Sequence, residues 1–257
     1  SCLSIMNQAL TLGSNLIYAF LGGIIPALLW LWFWLKEDPH PEPKRLIAFT
    51  FFGGALVTLI AFVLQCAAFT GLFGFKDCNA DLDMAIKSLA SFSGVFLIII
   101  LALIEEVLKF GAAYTVAGRN TNFDEPVDAM IYMVVVALGF ATVENLAVSQ
   151  KILSPEVIST GVATVYDAFR TISVRFIGAT LLHTLASGIV GYYWAKSIRN
   201  FGRKRFLIWG LALATILHAF FNYLIINFDD RIYTVVLLFI VGFLVIGDFE
   251  KLKKESI

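Results

Sequence analysis

The chain has 257 residues, of which 59% are hydrophobic and 15% charged, and its 19 basic and 19 acidic side chains balance to zero net charge. Its mean hydropathy of +0.84 corresponds to more apolar surface than a soluble domain can hide. The basic residues form no stripe and lie between apolar runs, which argues against nucleic acid as a partner.

Spanning a bilayer takes about 20 apolar residues per helix. Runs of that kind fall at 12–35, 46–73, 90–117, 127–150, 172–195, 206–227 and 232–247. The expected fold is an all-α polytopic bundle in the cell membrane with about seven transmembrane helices, organised as a single domain over 1–257. The first run, with no clear cleavage motif behind it, reads as a retained helix rather than a signal peptide. Trp30, Trp32 and Trp34, beside the prolines at 39–43, read as an interfacial aromatic belt. Ala80–Ser91 and Ser159–Arg175 have the pattern of amphipathic or interfacial helices. Cys2, Cys66 and Cys78 are odd in number and lack metal-ligand spacing, so no disulfide framework or zinc knuckle is expected.

Orientation follows from the loops, because short cytoplasmic loops collect Lys and Arg. One side of a seven-span arrangement carries Lys36, Lys44, Arg45, Arg119, Lys196, Arg199, Arg203, Lys204, Arg205, Lys251, Lys253 and Lys254. The other carries half as many: Lys76, Lys87, Lys151, Arg170, Arg175 and Arg231. This predicts an N-terminus outside and a C-terminus in the cytoplasm.

Ionisable side chains inside apolar runs are costly to insert, at about 2.5–3.5 kcal/mol each, and point to function. They cluster here: Glu105, Glu106 and Lys109 in the third run, Glu144 in the fourth, His183 in the fifth, and His218 with Asn222 in the sixth. Counted from the cytoplasmic ends at Arg119, Lys196 and Arg205, residues Glu105, His183 and His218 lie 14, 13 and 13 residues in, roughly 20 Å. Glu144 is 18 residues from Pro126, roughly 27 Å, and helix-end uncertainty brings it level. Four helices thus place ionisable groups in one layer, displaced toward the outer leaflet.

Two imidazoles and a carboxylate form the ligand set of a catalytic zinc site with an open position for water, and a further carboxylate can serve as its base. A Glu and a His can also activate water without metal, with the second His and Asn222 stabilising the oxyanion. Both lead to peptide hydrolysis. Lys109, within a turn of Glu105 and Glu106, pairs with at least one of them. A structural salt bridge accounts for a Glu-Lys pair taken alone. A proton or ion relay in a transporter uses the same residue types, but the chain has neither an inverted repeat nor paired broken helices.

Taken in order, Glu105-Glu106-x-x-Lys109, the segment from Glu125-Pro126-Val127-Asp128 through Leu138-Gly139-Phe140-Ala141 to Glu144-Asn145, and the histidines 183 and 218 resemble the PrsW-type intramembrane proteases. That family is related to the type II CAAX-prenyl endopeptidases, whose motifs are E-E-x-x-x-R, F-x-x-x-H and H-x-x-x-N/D; Glu144 stands here where the CAAX enzymes have His. The resemblance implies an endopeptidase acting on a membrane-anchored protein substrate at its extracytoplasmic side, in the manner of site-1 cleavage of a tethered anti-sigma factor. It implies Glu105 or Glu106 as base, Glu144, His183 and His218 as water or zinc ligands, and Asn222 orienting His218 or donating to the oxyanion. A metal-free glutamic protease is the alternative chemistry.

Overall fold

The computed structural model describes residues 24–38, 40–74, 91–152, 174, 178–200, 202–228 and 231–255. Those residues form seven helices and no strand: α1 (Ile24–Leu35), α2 (Lys44–Phe73), α3 (Ser91–Val116), α4 (Asp128–Ile152), α5 (Ala179–Arg199), α6 (Lys204–Asn227) and α7 (Ile232–Glu255). Each lies within or beside one of the expected runs. The interfacial helices expected at Ala80–Ser91 and Ser159–Arg175 fall almost wholly outside the described residues, as does the first half of the run at 12–35.

α2, α4, α6 and α7 are long and apolar enough to cross a membrane. α3 interrupts its apolar sequence with Glu105, Glu106 and Lys109, and α5 carries Thr180, His183, Thr184 and Ser187. These two helices bear much of the buried cluster. Their polar groups point inward, whereas Phe52, Val63, Phe92, Ile208, Phe239 and Phe243 face outward, as a lipid-facing surface requires. The protein is a multi-pass integral membrane protein.

α4 is the central helix. It lies between α2 and α5; α3 packs on α2 and α6, α6 on α5, and α7 on α5. Residues 127–142 are buried on every side, which explains why the run from Val127 to Ala141 has no polar stripe. Close approach to α2 depends on two glycines. A Cβ at Gly54 would lie 2.0 Å from the Val136 carbonyl oxygen, and one at Gly139 would lie 1.9 Å from that of Phe51. Small residues let membrane helices touch backbone to backbone in this way.

One end of the bundle is held by polar contacts between the α1–α2 and α3–α4 connections. His40 Nδ1 lies 2.6 Å from Glu125 Oε1, and the Tyr132 hydroxyl donates to Glu42. Asp38 accepts from the backbone N–H of His40 and Glu42, and Asp128 from those of Asp124 and Glu125. Lys253 at the end of α7 pairs with Glu37, 2.5 Å away. The expected tryptophan belt is corrected here. Trp32 is exposed, but Trp34 is buried and stacks on Phe249 of α7 at 5.2 Å between ring centroids. Alternate positions on one short helix face opposite ways, so only part of the triplet can face lipid.

Candidate active site

The cluster lies toward the opposite end of the bundle from those contacts. Glu144 is about two turns from the C-terminal end of α4, and His218 about two and a half from that of α6. His183 is about one turn from the start of α5. Successive positions of α3 supply Glu105 and Glu106, and Lys109 one turn on reaches back to both.

Glu106 and Lys109 are 0% exposed. Lys109 Nζ donates to Glu106 Oε1 at 2.9 Å and to His183 Nδ1 at 2.8 Å, and it lies 3.5 Å from Glu105 Oε2. It also sits 4.5 Å over the Phe140 ring, so its remaining surroundings are aromatic rather than aqueous. Because the ammonium donates to Nδ1 of His183, the ring proton is on Nε2, which points at Glu144 Oε2 at 2.7 Å. His218 is held in the other sense. Its Nδ1 faces Glu106 Oε1 at 2.9 Å and donates to it, while its Nε2 lies 3.7 Å from Glu105 Oε2. The two imidazoles meet edge to face at 5.0 Å.

Glu105 makes a hydrogen bond at one oxygen and an ion pair at the other, where Lys109 Nζ lies 3.5 Å away. Its Oε1 accepts from Gln65 Nε2 of α2 at 2.8 Å, while its buried Oε2 has no hydrogen-bond partner. That orphan oxygen faces both histidines, 3.7 Å from His218 Nε2 and 3.9 Å from His183 Nδ1. Glu105, His183 and His218 each offer a ligand atom within 4.8 Å of the others. The donor set and the orphaned oxygen fit a divalent cation.

The carboxylate that joins both imidazoles is thus Glu105, whereas the motif order placed Glu144 in that role. Glu144 sits on the far nitrogen of His183, with a side chain 17% exposed against 8% for Glu105. Glu106, paired in sequence with Glu105, faces the opposite nitrogen of His218. Asn222, one turn beyond His218, is half-buried and, among the described residues, makes no side-chain hydrogen bond to the cluster. Behind the site Asn145 donates to Thr180 Oγ1 at 3.0 Å, bridging α4 and α5 beside Glu144 and His183. Charge alone did not single out Gln65. Its signal is an uncharged amide in the apolar stretch Phe62-Val63-Leu64-Gln65.

An all-helical membrane bundle with buried Glu105, Glu106, Lys109, His183 and His218, and the partly exposed Glu144 beside them, defines a polytopic membrane protein with an ionisable centre. Residues 42–246 match the model of the PrsW family intramembrane metalloproteases. The chain belongs to that family and is an intramembrane protease. It is 27% identical over 207 residues to the protease PrsW of Geobacillus kaustophilus, covering 79% of this chain and 78% of the relative. It is 26% identical over 218 residues to protease PrsW of Bacillus subtilis, covering 82% and 84%. Against protease PrsW of Shouchella clausii it is 24% identical over 238 residues, covering 92% and 96%. No solved structure matches the chain.

Proposed function

We propose that the chain hydrolyses a peptide bond of a membrane-anchored protein near the extracytoplasmic face, with a tethered anti-sigma factor as the class of substrate the family resemblance implies. The observation that carries the assignment of residues is the orphaned Glu105 Oε2 aimed at both histidines. Glu105, His218 and His183 would hold zinc, which would supply Lewis-acid polarisation of the scissile carbonyl; binding through His183 Nδ1 requires the Lys109 ammonium to leave that nitrogen.

The remaining groups have separate tasks. Glu106 accepts the Nδ1 proton of His218 and so fixes which nitrogen faces Glu105. Lys109 balances the charge of the paired carboxylates. Glu144, the more exposed carboxylate of the two on this face, takes a proton from the attacking water as oxygen bonds to the carbonyl carbon, and returns it to the amine as the C–N bond breaks.

The outward location has two supports. Loop charge puts the basic side of the bundle in the cytoplasm, and the cluster lies toward the other end. In addition Cys66, next to Gln65, is disulfide-bonded, contrary to the expectation of no disulfide framework, and disulfides persist on the oxidising side of the membrane.

One observation favours the metal-free alternative. Lys109 occupies the Nδ1 lone pair of His183, so without metal the Lys109–His183–Glu144 chain is already arranged for a glutamic mechanism. Metal analysis of purified protein together with cleavage of a single-span substrate separates the two. About one zinc per chain, lost in Glu105→Gln and His218→Ala along with activity, is the expected result. Full activity after chelation, with Glu144→Gln inactive, establishes the metal-free route. Undiminished cleavage by Glu105→Gln, Glu144→Gln and His183→Ala together sinks the site.

A further inference from the structure

We infer that Gln65 of α2 is a positioning residue of the site, holding the Glu105 carboxylate so that its second oxygen faces the two histidines. The inference rests on the reading of Glu105 as the carboxylate that works with His183 and His218.

Three observations converge on it. Gln65 Nε2 to Glu105 Oε1, at 2.8 Å, is the one side-chain hydrogen bond that Glu105 makes among the described residues. A carboxylate pinned at one oxygen has its other oxygen fixed in direction, and here that oxygen is buried, without a hydrogen-bond partner, and between the imidazoles. The donor is also uncharged. Lys109 already provides the cation of the cluster, and a second cation at position 65 would compete for the electron pair that Oε2 must offer. An amide orients the group and leaves its charge intact.

The remaining polar side chains of α2 that make hydrogen bonds use them within the bundle's backbone. Thr58 donates to the Gly54 and Phe140 carbonyls, and Thr70 to that of Cys66. Among the described residues Gln65 alone on that helix makes a hydrogen bond to a carboxylate, and an amide in a lipid-exposed helix has a desolvation cost that a specific partner must offset. The site is thereby built from five helices, α2 through α6, rather than the four that carry its ionisable residues.

The test is Gln65→Met, which keeps length and volume and removes the donor, in the full chain with a single-span substrate. The expected result is a kcat lower by about 10–100-fold, the range for loss of a group that orients a metal or catalytic ligand, with KM within about twofold. Thermal unfolding supplies a second readout that does not need activity. Gln65→Met should lower the midpoint in the wild-type background and leave it unchanged in Glu105→Ala, where there is no carboxylate to hold. An equal drop in both backgrounds assigns Gln65 to packing and overturns the inference, as does an unaltered kcat or a loss confined to KM. If Glu105→Gln itself cleaves normally, the site reading falls and this inference with it; if Glu105→Gln is inactive while Gln65→Met is fully active, only the inference about Gln65 falls.

Discussion

At the level of single residues, Glu106 and Lys109 decide how much buried charge the bundle can carry. With both at 0% exposure, removing Lys109 leaves Glu106 without its cation, at a cost of about 3–5 kcal/mol, whereas removing both together costs far less; removing Glu106 alone leaves Lys109 its contact with Glu105, 3.5 Å away. Lys109→Met should therefore lower the unfolding midpoint in detergent sharply, and Lys109→Met with Glu106→Gln should recover most of it; calorimetry or a fluorescence melt reads the difference. Glu106→Gln alone weakens the acceptor for the His218 Nδ1 proton. Its expected effect is an activity lower by about 10–100-fold with protein still folded, measured as kcat on a single-span substrate. The residue types of the cluster were legible from the chain, since charge inside an apolar run stands out. The division of labour was not, because Glu105 and Glu106 are neighbours in sequence and only side-chain direction separates the oxygen facing both histidines from the one bonded to Nδ1 of His218.

Among the helices, the contact that places the site is α2 against α4. Gly54 and Gly139 allow carbonyl oxygens within about 2 Å of where a Cβ would stand, and no flexible side chain is there to give way. Gly139→Ala should force the pair apart, destabilising the protein by about 1–3 kcal/mol. Because Gln65 lies about three turns further along α2 from Gly54, the same substitution should also reduce kcat. Parallel melts and cleavage assays on Gly139→Ala and on Gly242→Ala, a glycine with nothing within 4 Å of an added Cβ, distinguish a specific contact from a general loss of glycine. The helices themselves were readable within a few residues at most described ends, since hydrophobic length is imposed by the bilayer, but α7 continues past its expected end at 247 to Glu255. The centrality of α4 was not, because a helix buried in protein and one buried in lipid are equally apolar.

Among the described residues, the ionic contacts of the α1–α2 and α3–α4 connections and the buried Glu-His-Lys cluster lie toward opposite ends of the bundle. In the α1–α2 connection, burial pushes the carboxyls of both Asp38 and Glu42 above their ordinary range, helped by Glu125 for Asp38 and by Asp38 and Asp124 for Glu42. A carboxyl raised in the folded state binds its proton more tightly than in the unfolded chain, so its stabilisation is present at low pH and is lost as pH rises through the folded value. Glu42→Gln keeps an acceptor for Tyr132 and removes a charge that faces Asp124 and Asp128, whose ligand atoms lie within 4.8 Å. It should raise the unfolding midpoint at pH 8 by a few degrees at most, since the half-exposed group is screened, and the gain should vanish near pH 4. A gain independent of pH would show that charge is not what Glu42 contributes there.

Composition alone determined that this chain lives in a membrane, because no other solvent accepts so much apolar surface, and ordered motifs within it carried the resemblance to an intramembrane protease. Loop charge further predicted which end faces the cytoplasm. What only the tertiary structure decided was pairing. Gln65, Glu105, Glu106, Lys109, Glu144, His183 and His218 come from five helices, and which oxygen meets which imidazole depends on helix rotation and side-chain direction, which apolar periodicity leaves open when a helix is greasy on every face.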